Sequence, residues 1–248
     1  MISGSTTRVG GSLREALDSV IQPSPELLQS GRRARIEALK PPPLDPEFIE
    51  RCRLALARLV ALEDDGVIAV CSARRGEGRS SVAAALALTL AGGRAEGRVL
   101  LLDLDFGHAD QAALMGVAPS PGLADFLEGR ERLRLAAGGP NRQLWHIPAG
   151  THLGDPLRLF HALTGEAMLP VFRQKFQWVV LDLPPLLGHP ETVALVRSVD
   201  WQVIVGRHRR TLMTDLREVA EVIGGEKPSG FLLTGDSTRI PALIRRLL

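Results

Sequence analysis

Six short apolar runs, most of them parted by stretches of helical character, predict an α/β fold: a doubly wound, mostly parallel sheet. The runs are apolar throughout instead of alternating, as strands covered on both faces are. A glycine-rich turn leads from the first run into an Ala/Leu-rich stretch, and two of the later runs end on aspartate. A chain of 248 residues with 45% hydrophobic content can fill the core that one such domain needs.

Residues 1–45 read as a flexible, Pro-rich N-terminal tail, closed by Pro41-Pro42-Pro43 and Pro46 as a stiff linker. Within it Leu13, Ala16, Leu17, Val20 and Ile21 repeat at helical spacing, so a loosely docked helix near Ser12–Ile21 is expected, with a partner-binding segment as the alternative. The domain then occupies residues 46–248. Asp45 can cap a helix starting at Pro46, with Glu47 and Glu50 in its first turns. Gly66-Val-Ile-Ala-Val-Cys-Ser72 is the first strand, and a helix follows from about Ser80 to Leu90. Arg98-Val-Leu-Leu-Leu-Asp103, Leu144-Trp-His-Ile-Pro-Ala-Gly150, Trp178-Val-Val-Leu-Asp182, Trp201-Gln-Val-Ile-Val-Gly206 and Gly230-Phe-Leu-Leu-Thr234 complete the sheet. At the far end Ile240, Leu243, Ile244, Leu247 and Leu248 form one apolar face with Arg245 and Arg246 beside it, read as a last helix on the sheet or a membrane-touching one.

Composition removes several functions. A net charge of +2 argues against nucleic acid as a partner. Cys52 and Cys71 lack CxxC spacing, and the six histidines lack metal-ligand spacing, so neither a disulfide framework nor a zinc site is expected. No apolar run follows Met1 and none reaches the roughly 20 residues of a membrane helix, so a cytoplasmic protein is expected. Arginine dominates the positive charge: only Lys40, Lys175 and Lys227 are lysines. There is no tyrosine.

The turn Ala73-Arg-Arg-Gly-Glu-Gly-Arg-Ser80 has the strand–turn–helix setting of a phosphate-binding loop. Gly76 and Gly78 let backbone N–H groups approach phosphate oxygens, and the following helix points its positive end at them. Arg74, Arg75, Gly76, Glu77, Gly78, Arg79, Ser80 and Ser81 are therefore the candidate contacts to a nucleotide. Ser80 supplies a hydroxyl for Mg²⁺. Arg79 stands where the motif has lysine and Ala73 where it begins with glycine, so this is a P-loop NTPase with deviant Walker motifs. Asp103 and Asp182 end buried strands and Asp105 follows two residues on, which aims three acids at the ligand crevice. They are the candidate catalytic residues, with Ser80, Asp103 and Asp182 as the metal set and ATP with Mg²⁺ as cofactors.

At these residues the chain resembles the bacterial tyrosine kinases of capsule and exopolysaccharide synthesis, relatives of the Min-type and partition ATPases. The resemblance runs from about Glu47 to Thr234 and takes in Leu102-Asp-Leu-Asp105, Pro121-Gly-Leu-Ala-Asp-Phe-Leu-Glu-Gly129, Ile147-Pro-Ala-Gly150 and Trp178-Val-Val-Leu-Asp-Leu-Pro-Pro185. It implies ATP and Mg²⁺ held by the loop through Ser80 and Ser81, metal acids at Asp103 and Asp182, and Asp105 near the attacking group. The implied partner is the cytoplasmic tail of a membrane polysaccharide co-polymerase, which would bring the chain to the inner face of the membrane.

The chain departs from that pattern at four places. Arg79 replaces lysine. Phe106-Gly-His-Ala-Asp110 replaces a basic, proline-containing stretch. Glu47, Glu50 and Arg53 stand where the relatives assemble through E-x2-R-x2-R, which reverses one charge at a homo-oligomer contact. The tyrosine-rich tail is absent. Thr234 also stands where relatives place an asparagine near the base, and Arg74 where Min-type relatives carry a second, trans-acting lysine. The expected function is a nucleotide-binding regulator of polysaccharide polymerisation and export, a pseudokinase. An active kinase or ATPase acting on a partner, a positioning ATPase of the Min or partition type, and an interaction module with an empty pocket are the alternatives.

Overall fold

All six apolar runs form strands, and the sheet holds two more that the runs do not announce. The computed structural model describes residues 13–18, 37–40, 43–59, 64–93, 97–108, 110–152, 154–164 and 168–235. The strands are β1 (Glu37–Ala38), β2 (Gly66–Ser72), β3 (Val99–Asp103), β4 (Ala136–Gly138), β5 (Leu144–Ile147), β6 (Trp178–Asp182), β7 (Trp201–Arg207) and β8 (Ser229–Thr234). They lie in the order β1-β4-β5-β3-β6-β2-β7-β8, parallel except for the antiparallel β4–β5 pair. The third run is shorter as a strand than expected, because Pro148 ends its ladder after Ile147.

The helices are α1 (residues 13–18), α2 (Pro46–Leu59), α3 (Arg79–Gly92), α4 (Asp110–Leu114), α5 (Leu123–Leu127), α6 (Pro156–Thr164), α7 (Leu169–Lys175), α8 (Val193–Ser198) and α9 (Met213–Ile223). Period-2 geometry sends Val67, Ala69 and Cys71 of β2 to one core layer and Ile68 and Val70 to the other. The second layer is covered by α2 and α3. Helix α3 is buried on most of its circumference, from Val82 to Ala87 without a break, which is why its sequence is apolar all round. The first layer takes α6, α7 and α8, with Val219 and Ile223 of α9. Among the described residues no helix is long and apolar enough to cross a membrane.

Two stretches of the predicted tail pack on this body. Leu13 and Leu17 of α1 are fully buried in the layer of Phe160 and Phe172, and Lys175 pairs with Asp18. Glu37–Ala38 pairs with β4 at the sheet edge. Proline and glycine content marks the segment as a tail, but two leucines at i, i+4 are enough to seat one helical turn on a core. The segment 240–248 lies outside the described residues.

The motif between Pro121 and Gly150 is a packing device. The first turn of α5 hands its free N–H groups to the loop after β5: Leu123 N donates to Pro148 O (2.9 Å) and Ala124 N to Ala149 O (2.8 Å). Asp125 Oδ2 accepts from Gly122 N (2.8 Å), Thr151 N (3.0 Å) and Ser120 Oγ (3.1 Å), and Arg130 pairs with the same carboxylate. The side chain is almost fully buried. Burial raises its pKa, but these donors outweigh it and hold Asp125 below the usual carboxylate range.

Candidate functional site

The glycine-rich turn joins β2 to α3 at the carboxyl edge of the sheet, where open α/β folds bind ligands. Gly76 (φ 75°) and Gly78 (φ 90°) adopt left-handed backbone, which glycine enters without strain. The turn borders a cavity of ≈ 190 Å³ whose lining includes Arg75, Gly76, Gly78, Ser80, Ser81 and Asp110.

The acids converge as the strand ends predict. Asp103 and Asp182 are direct register partners on β3 and β6, so their side chains leave adjacent strands at one level. Both are fully buried, and Asp105 nearly so. Arg79 reaches across from the first turn of α3 and is itself only 7% exposed. Its Nε donates to Asp182 Oδ1 (2.8 Å) and its Nη2 to Asp105 Oδ2 (2.8 Å). The planar fork thus bridges two acids, which the single ammonium of a lysine does not do with fixed geometry.

Asp103 is left out of that arrangement. Its Oδ1 accepts from Asp105 N (3.1 Å), while Oδ2 has no partner. Burial, reinforced by the charge of Asp182, pushes its pKa well above the carboxylate range. Asp182 is also raised, first by burial, with Arg79 and the Ser80 hydroxyl acting against it. Among the described residues no three His, Cys, Asp or Glu side chains converge as a metal centre. Two carboxylates and a hydroxyl do fit Mg²⁺, which keeps places for phosphate oxygens and water. The orphaned Asp103 Oδ2 is the kind of buried acceptor that an ion or its water would satisfy.

The linkage at Asp103 has a definite sign. Above the ordinary aspartate range the unfolded chain has released this proton and the folded chain still holds it, so stability falls as pH rises from about 4. Asp103→Asn removes both the ionisable group and that slope. The variant is expected to be more stable than the parent at pH 7 and to converge with it near pH 4, because asparagine carries no charge for burial to penalise. Urea denaturation at the two pH values measures this.

The remaining candidates divide by what holds them. Glu77 turns its carboxylate inward, accepting from Arg74 N (2.9 Å) and Thr211 Oγ1 (2.5 Å), so what it presents to a ligand is backbone. Arg74 is bound bidentately by Asp215 of α9 (2.6 and 3.0 Å), and it lowers the pKa of that carboxyl. Arg75 lies 3.5 Å from Asp105 and 3.6 Å from Asp110 and contacts His108. Ser80 and Ser81 border the cavity. Thr234 Oγ1 donates to Glu77 O (2.5 Å) and lies 3.2 Å from Gly206 O, so it braces the loop from β8.

Three supports were not anticipated: Thr211, Asp215 and the arginines of Arg207-His-Arg-Arg210. The last had a signal in the sequence, four consecutive basic residues at the carboxyl end of a parallel strand. Thr211 and Asp215 had none, because their partners are more than 130 positions away.

No protein-family model matches the chain. Its relatives include EpsB of Ralstonia solanacearum, a tyrosine-protein kinase by name, 28% identical over 183 residues. That alignment takes in 71% of this chain and 24% of EpsB, so the chain spans about a quarter of that relative's length. The tyrosine-protein kinase CpsD of Streptococcus agalactiae is 25% identical over 169 residues, 66% of this chain and 73% of CpsD. Among solved structures, the kinase domain of VpsO superposes with a TM-score of 0.64 at 25% identity, over 75% of this chain and 95% of that domain. These relatives are bacterial tyrosine kinases by name, and the fold is that of a P-loop kinase domain.

Proposed function

We propose that this chain binds ATP with Mg²⁺ at Gly76–Ser81 and acts as a nucleotide-dependent regulator with little or no phosphoryl transfer. The observation that carries this reading is Arg79, locked by ion pairs to Asp105 and Asp182. Phosphoryl transfer relies on positioned charge around the γ-phosphate and on an acid free to orient the attacking group. Here the cation at the lysine position is committed to the acids, and the acid placed to orient the attacking group is committed to the cation. Ser80, Asp103 and Asp182 would hold Mg²⁺, which would supply positive charge against the phosphates.

Tyrosine is absent from all 248 residues, so autophosphorylation on tyrosine has no acceptor within them. By resemblance to the polysaccharide kinases, the process controlled would be polysaccharide polymerisation and export. The partner would be the cytoplasmic tail of a membrane co-polymerase, and docking on it would place the chain at the inner membrane face. Residues 46–248 form the binding unit in this reading. The Min-type alternative needs the residue at Arg74 to act across a dimer, and Asp215 of the same chain holds that guanidinium.

Isothermal titration with ATP and Mg²⁺ tests the binding. Saturable heat at micromolar to sub-millimolar ATP is the expected result. No heat at millimolar ATP would leave an interaction module with an empty pocket.

A further inference from the structure

If Arg79 is spent on carboxylates, some other group must meet the charge of the phosphates. The loop after β7 holds that group. Its turn is closed by Arg207 N donating to Thr211 Oγ1 (2.7 Å) and by Thr211 N and Arg210 N donating to Arg207 O (2.9 and 3.1 Å). The turn is fastened to the phosphate loop twice. Thr211 Oγ1 donates to the Glu77 carboxylate, and Arg207 Nη1 donates to Gly76 O (2.9 Å).

The fastening sets Arg210 against Gly76. A Cβ added to Gly76 would stand 3.0 Å from Arg210 Nη1, 3.3 Å from its Cζ and 3.4 Å from Nη2. The guanidinium therefore lies along the bare face of the glycine, where a side chain would displace it. The other arginines of the loop have partners: Arg74 on Asp215, Arg75 on Asp105 and Asp110, Arg79 on Asp105 and Asp182. Among the described residues, the Arg210 side chain has neither an ion pair nor a hydrogen bond, so its guanidinium donors are available. Moving Arg79 to a phosphate would strand two buried carboxylates. Turning Arg210 to the same phosphate gives up only contact with water.

We infer that Arg210 takes over the phosphate-binding role of the missing lysine, contacting the polyphosphate of a nucleoside triphosphate from the β7–α9 loop. The proposal rests on the nucleotide-binding reading and adds a residue that the P-loop pattern does not contain. Guanidinium suits it, since a fork can span two phosphate oxygens. Arg207 holds the loop main chain and so positions Arg210.

Calorimetric titration of ATP with Mg²⁺ into the 248-residue protein, Arg210→Ala and Arg209→Ala tests it. Arg209 is the exposed neighbour on the same turn, so its removal costs the same net charge without the contact at Gly76. Arg210→Ala is expected to weaken ATP binding about ten- to hundredfold, the range for one charge-assisted hydrogen bond or a pair of them. Arg209→Ala should stay within about twofold of the parent. Equal losses in the two variants would reduce the effect to general charge and overturn the proposal. An Arg210→Ala affinity equal to that of the parent would overturn it while leaving ATP binding intact. A parent that takes up no ATP would remove both. Thermal melts of the exposed-residue variants should match the parent, which excludes misfolding as the cause.

Discussion

Arg79→Ala is expected to destabilise the protein by about 3–5 kcal/mol, the usual cost of breaking a buried ion pair from one side. The fork donates to Asp105 and Asp182, and neither carboxylate has solvent to fall back on. Without Arg79 these acids face each other and Asp103 in one buried pocket, and they respond by taking up protons. The loss therefore depends on pH. Where protons are scarce, the folded variant must either bury charge or bind protons that the unfolded chain does not, so the deficit grows from pH 5 to pH 8. Urea midpoints at those two values should show a larger deficit at the higher pH. Arg79→Lys keeps a charge but cannot serve both acids with fixed geometry, so a smaller loss is expected. Equal stability of Arg79→Ala and the parent at pH 8 would mean that the fork does not hold the acids.

Gly122→Ala is the second large effect, and it concerns a motif that looks functional. A Cβ at Gly122 would stand 2.3 Å from Pro148 O and 2.4 Å from Gly150 N. Both obstacles are backbone, so no side chain can swing aside. Relief requires the loop after β5 to leave α5, and that breaks the bonds from Leu123 and Ala124 and the cap at Asp125. A loss of at least about 3 kcal/mol is expected, in the range of overpacking plus broken buried hydrogen bonds. Gly150 is constrained in the same way, with φ 83° and a Cβ position 2.4 Å from Asp125 Oδ2. A soluble Gly122→Ala protein with an unchanged melting temperature would contradict the packing. The Pro121–Gly150 stretch carries much of the resemblance to the polysaccharide kinases, and its physical content is this glycine-to-glycine contact. Resemblance there speaks for shared architecture more than for shared chemistry.

What the sequence discloses follows the range of each interaction. Buried parallel strands are apolar along their whole length, so β2, β3, β6 and β7 are legible within a residue or two. The two-residue β1 and the Ala-Ala-Gly strand β4 have no such pattern, and their pairing comes from neighbours. The loop and the three acids are legible because strand ends and glycines mark them. Their electrostatic state is not. That Arg79 bridges Asp105 and Asp182, that Asp103 keeps an orphaned oxygen and that Asp215 captures Arg74 all depend on contacts far apart in the chain. The reversed charge at Glu50 reads as a problem for assembly, yet Arg53 meets it within α2 at 2.7 and 2.5 Å. Substituting arginine for lysine is visible as a letter. Its consequence, a site whose cation and acids satisfy one another, is visible only in three dimensions.

The central claim is that nucleotide is held and not consumed. Protein held with γ-labelled ATP and Mg²⁺ above its dissociation constant, and quenched at intervals over hours without removing nucleotide, tests it directly. The expected result is label recovered as intact ATP. Release of labelled phosphate, or transfer of label to protein, at anything near the roughly 1–100 s⁻¹ of working kinases would contradict it.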